Sequence, residues 1–142
     1  MKKEKTVLVC ITPQESSKQL VSAGKTLADK HDASLEVVSV LPLYEKERKH
    51  KIDPDTIEML YQTARSKNGE MAVYFSDDPI LTVSAHIAKR NPLTLVVGFP
   101  GEESNNFISA IHLLLPDIPI SMVDTAGTIY NILPYEAIQA SR

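Results

Sequence analysis

Tryptophan is absent from the 142 residues, and cysteine occurs once, as Cys10. A lone cysteine excludes an intramolecular disulfide framework and suits a reducing compartment, so a cytoplasmic location is expected. No apolar run is long enough for a membrane span. Behind the charged start Met1-Lys2-Lys3-Glu4-Lys5, the first run covers only Val7 to Ile11, too short for the central region of a signal peptide. Positive charge is not in excess, since 15 Lys and Arg against 18 Asp and Glu leave a net charge of −3. That balance excludes the electrostatic footprint of a nucleic-acid or anionic-membrane binder. The four histidines, His31, His50, His86 and His112, have no metal-ligand spacing with one another or with Cys10, so no metal site is expected. There is no Walker A loop and no nucleophile elbow.

With 43% apolar and 23% charged residues, the chain has the composition of one globular domain with a single core. Its order of elements is regular. Thr6 to Thr12, "TVLVCIT", is a continuous β-branched run, as expected of a strand covered on both faces. "ESSKQLVSAGKTLADKHD" follows as a helix, with Ser16 and Gln19 in capping-box spacing. A second strand spans residues 34 to 42. A helix starts near Pro54, with Asp53 as its cap and Gly69 as its stop. The third strand covers residues 70 to 76, and Asp78-Pro79 opens a third helix that Pro92 ends. "LTLVVGF" is the fourth strand. Asn105 or Asn106 is the expected cap of a fourth helix with Phe107, Ile108, Ile111, Leu114 and Leu115 on its apolar stripe. "IPISMVD" is the fifth strand, and Pro119 near its start favours an edge position.

Strict strand–helix alternation predicts right-handed crossovers and an α/β fold of three layers, α/β/α, around a five-stranded parallel sheet. The domain is expected to span residues 1–124. Residues 125–142 hold Ile129, Tyr130, Ile132, Leu133, Tyr135 and Ile138, and are expected to pack on the domain or on a second copy. In such a sheet the ligand crevice lies at the carboxyl ends of the strands. Thr12 and Pro13, Leu41, and Gly98 with Gly101 meet on that rim. Lys46, Arg48, Lys49 and Lys51 leave from it, able to close on a phosphate or, interleaved with Glu45 and Glu47, to form a solvated loop.

The opening "VLVCIT", the stretch "LTLVVGFPG" and the closing "IPISMV" resemble the universal stress protein family over about residues 5 to 124. The tone is closest to the stress-protein-like domain of potassium-responsive sensor histidine kinases. The resemblance implies an adenine nucleotide alpha hydrolase-like sheet of order 3-2-1-4-5. It also implies a homodimer joined through the last strand and tail. ATP-binding members of that family carry Gly, two residues, Gly, nine residues, then Gly with Ser or Thr. Gly98 and Gly101 fill the first two places, but Ile111 and His112 stand where the last two belong. Ile111 is expected to point into the core. Thr12 replaces the family's aspartate at the end of the first strand, and Glu102 and Glu103 place two carboxylates beside the loop. Ser104 and Asn105 still offer donors at a helix start. The cyclic dinucleotide sites of some relatives find only Ser39 and Tyr44 as counterparts.

The resemblance therefore implies a non-catalytic stress-response or signalling module with a degenerate nucleotide site and a signalling protein as partner. It makes no cofactor certain, and an adenine nucleotide is the candidate. The alternative is a sensor for AMP, ATP or a cyclic dinucleotide, held by Thr12, Pro13, Leu41, Gly98, Gly101, Ser104 and Asn105, with Lys46 or Arg48 over the phosphate. Cys10, inside a strand, is expected to pack as a small apolar residue.

Overall fold

The computed structural model describes residues 4–11, 17–41, 54–98 and 102–132, with the backbone alone at 17, 56 and 102–106. Ten elements follow in order: β1 (Thr6–Cys10), α1 (Ser17–Lys30), β2 (Ser34–Leu41), α2 (Pro54–Ser66), β3 (Glu70–Phe75), α3 (Pro79–Arg90), β4 (Thr94–Gly98), α4 (Glu102–Leu114), β5 (Ile120–Val123) and β6 (Ile129–Ile132). They build one sheet of order β3-β2-β1-β4-β5-β6. The first five strands pair in parallel in the expected order, and β6 adds to β5 antiparallel. The fold is the open α/β class that alternation predicted, with one more strand.

Alternating side chains of the strands feed two cores. Val7, Val9, Val37 and Val96 face Leu20, Val21 and Ala28 of α1 and Leu60 and Ala64 of α2. Leu8, Val38, Leu95, Val97 and Ile120 face Val83 and Ile87 of α3 and Ile108 and Ile111 of α4. β1 and β4 at the centre are buried from both sides, which is why they read as unbroken apolar runs.

Four local expectations need correction. β5 is not an edge strand. Pro119 lies just before it and harms no pairing, since its carbonyl accepts the Leu95 amide at 2.9 Å. Gly69 is not the residue that turns α2 out of the helix. Asn68 takes the left-handed conformation (φ 59°), and the Gly69 amide then reaches back to the Ala64 carbonyl at 2.9 Å. α4 begins at Glu102, so Asn105 and Asn106 lie inside it rather than capping it. Leu114 is 56% exposed and does not belong to the apolar stripe, whereas Ile111 is fully buried as expected. The predicted caps Ser16 and Asp53 lie outside the described residues.

Candidate functional site

The pairing register sets the rim of the sheet. Val9 of β1 pairs with Val37 on one side and Val96 on the other. Two residues further on, Ser39 and Gly98 therefore stand level with Ile11, and Leu41 lies one step beyond Ser39 on the same face. Of the predicted site, Leu41 and Gly98 are brought to this rim. Leu41 is only 1% exposed, so its side chain offers little surface to a ligand. Ser104 and Asn105 sit in the first turns of α4. Thr12, Pro13, Lys46, Arg48 and Gly101 lie outside the described residues.

Two observations characterise the rim. Among the described residues, a Cβ built at Gly98 would meet Leu20 alone, at an ordinary 3.5 Å. Ser39, fully buried, has no hydrogen-bond partner for its Oγ among the described residues. A buried hydroxyl left unpaired is costly, and proteins generally give such a group a partner.

A second polar constellation lies on the other face, at the outer edge of the sheet. Thr82, His86 and Arg90 recur at every fourth position of α3 and so share one helix face. Opposite them stand Ser76, Tyr74 of β3 and Glu36 of β2. Thr82 Oγ1 lies 2.8 Å from Ser76 Oγ. His86 Nε2 is bonded to Glu36 Oε1, and His86 Nδ1 lies 2.8 Å from Tyr74 Oη. Arg90 Nε completes the group, 3.4 Å from Glu36 Oε2. Glu36 and His86 are buried, while Tyr74 is 38% exposed. Spacing of the histidines along the chain does not point to this cluster, because Glu36 and His86 lie 50 residues apart. Its one sequence signal is Glu36, the charged residue of β2. Among the described residues no group of three His, Cys, Asp or Glu is placed to hold a metal ion.

Between α1 and α2 lies an open groove of about 450 Å³ lined by Lys18, Ser22, Met59, Gln62, Thr63, Ser66 and Lys67. Its Thr63 and Ser66 hydroxyls donate to carbonyls of their own helix. Among the described residues no helix is long and apolar enough to cross a membrane.

An open, mostly parallel sheet wound in this strand order defines a class of α/β folds whose ligand crevice lies at the carboxyl ends of the strands. Within that class the chain is similar in structure to universal stress proteins. A universal stress protein from Archaeoglobus fulgidus superposes with a TM-score of 0.63 at 13% identity, over 83% of this chain and 92% of that one. A universal stress protein structure in complex with cAMP superposes with a TM-score of 0.61 at 14% identity, over 85% of this chain and 97% of its own. The Archaeoglobus fulgidus protein in complex with dAMP gives a TM-score of 0.62 at 13% identity, over 83% and 96%. No protein-family model matches the sequence, and no curated protein matches it.

Proposed function

We propose that this chain is a stress-response or signalling module of the universal stress protein type, acting without catalysis through protein contacts. Its rim is a degenerate nucleotide site that does not hold ATP in the usual manner. The observation that carries the reading is Ile111, fully buried in the core between α4 and the sheet where the ATP-binding pattern calls for glycine. A side chain committed to the core cannot be exchanged for the bare backbone that a phosphate cradle needs. Calorimetry with magnesium-ATP at millimolar concentration tests this, and no heat is expected. Saturable ATP binding that survives Ile111→Val would retire the reading.

The second reading, a sensor for a smaller adenine nucleotide, has Gly98 in its favour. A glycine where the described residues leave room for a Cβ suits close approach of a ligand to the backbone. Solved structures of this fold carry dAMP and cAMP. In this reading AMP gives heat that Gly98→Val removes while the unfolding midpoint is kept. Silence from AMP and cyclic dinucleotides alike would count against it.

The module is proposed to act in the cytoplasm as a homodimer. Because β6 covers the outer side of β5, the described edge of the sheet on that flank is β6, and the dimer is proposed to form through this last strand and the tail. Light scattering at micromolar concentration is expected to return twice the 15.7 kDa of one chain.

A further inference from the structure

The Glu36–His86–Tyr74 cluster has the connectivity of a proton relay, with an exposed hydroxyl at its outer end. As a carboxylate, Glu36 can only accept, so His86 Nε2 carries the proton between them. In the neutral imidazole Nδ1 is then the lone-pair nitrogen, and at 2.8 Å it accepts the Tyr74 hydroxyl proton. A buried acid thus orients a buried imidazole, which in turn faces the hydroxyl of a residue 38% exposed on the edge strand. The ring centroids of Tyr74 and His86 are 5.6 Å apart at 73°, an edge-to-face contact that holds the two groups in register. Nucleophile, base and orienting carboxylate are all present.

We propose that Tyr74 is a nucleophilic acceptor site for activated acyl donors, with His86 as its base and Glu36 as the positioning residue. In the step, Tyr74 Oη attacks the acyl carbon and an aryl ester bond forms. The bond to the leaving group breaks, and that group departs with the bonding electron pair. The phenolic proton moves to His86 Nδ1, giving an imidazolium whose Nε2–H still faces Glu36. Acyl rather than phosphoryl transfer fits the charges, because phosphoryl transfer needs cations around the moving group. Arg90, the cation within the cluster, is occupied by Glu36. The modification is stoichiometric and does not depend on any ligand at the rim.

The test treats the intact chain with p-nitrophenyl acetate and reads acetylation of each tyrosine by peptide mass spectrometry. Tyr130 is the internal control. It is 46% exposed, somewhat more than Tyr74, and its hydroxyl donates to Asp124 Oδ2 at 3.3 Å. Tyr74 is expected to react about a hundredfold faster than Tyr130, the order that a positioned base supplies. His86→Ala is expected to bring Tyr74 down to the Tyr130 rate, and Glu36→Gln to lower it about tenfold with His86 still present. Equal rates for Tyr74 and Tyr130 in the unmodified chain would overturn the proposal without recourse to any variant. So would a Tyr74 rate unchanged in His86→Ala whose circular dichroism matches the parent.

Discussion

Gly24 lies where α1 presses most closely on the sheet. A Cβ there would fall 2.3 Å from Val9 Cγ2 and 3.2 Å from Leu35 Cδ1, both in the packed core. Val9 is β-branched and fully buried, so it has little room to give way. Overpacking costs about 1–3 kcal/mol, against roughly 1 kcal/mol gained in helix propensity by alanine. Gly24→Ala is therefore expected to lower the urea midpoint. Ile111→Ala fails in the opposite sense, leaving a cavity under α4, and is expected to cost about 2–5 kcal/mol in the same assay. Cys10 gives a residue-scale prediction in pH. Its surroundings are apolar, and desolvation pushes the thiol from 9.0 up to about 12. Above pH 9 the unfolded chain loses that proton while the folded chain keeps it. Folding stability from this residue is thus unaffected below pH 9 and declines between pH 9 and about 12. Comparing unfolding midpoints of the parent and Cys10→Ala across that range checks it, and the difference should narrow as pH rises.

Helix ends show how sequence becomes element. Asp32, Asn68 and Asn91 are the three non-glycine residues described with positive φ, and each follows a helix. Their short polar side chains tolerate the left-handed region, so α1, α2 and α3 close with aspartate or asparagine instead of glycine. At α3 the start is equally explicit, with Asp78 Oδ1 accepting the Leu81 amide at 3.1 Å and Pro79 following. The β5–β6 hairpin depends on one carboxylate. Asp124 Oδ1 accepts the amides of Ala126 and Thr128, each at 2.9 Å, and Gly127 (φ 87°) supplies the left-handed turn. Asp124→Ala is expected to leave the five parallel strands intact while β6 amides exchange faster, measured by hydrogen–deuterium exchange. Unchanged protection at Tyr130 to Ile132 would show that pairing with β5 suffices without the turn.

For the whole molecule, two cores share one sheet, and the sheet has two unlike flanks. On one flank β6 adds an antiparallel edge. Thr94, Ser121 and Asn131 bridge β4, β5 and β6 there, at 2.7 and 3.1 Å. On the other, α3 meets β3 and β2 through the Ser76–Thr82, Tyr74–His86 and Glu36–Arg90 contacts, a seam more polar than the centre. Local opening follows burial, so Val7 to Val9 and Leu95 to Val97 are expected to exchange slowest. If β3 amides proved as slow as these, the polar seam would be holding the edge as firmly as the apolar centre is held.

The alternation of apolar runs and amphipathic helices determined the layered parallel fold, because burial on both faces leaves a periodicity that one sequence displays. The fate of Ile111 was legible for the same reason, since its place on the apolar stripe of α4 already committed it to the core. The tertiary structure alone decided the rest. A sixth strand follows Asp124 because a short turn returns the chain beside β5, and a four-residue strand carries little pattern of its own. Among the described residues, the arrangement in space leaves room for a Cβ at Gly98. Glu36 and His86 meet although 50 residues separate them. Periodicity reports which face a residue takes, whereas only the folded chain settles which distant groups come within a hydrogen bond of one another.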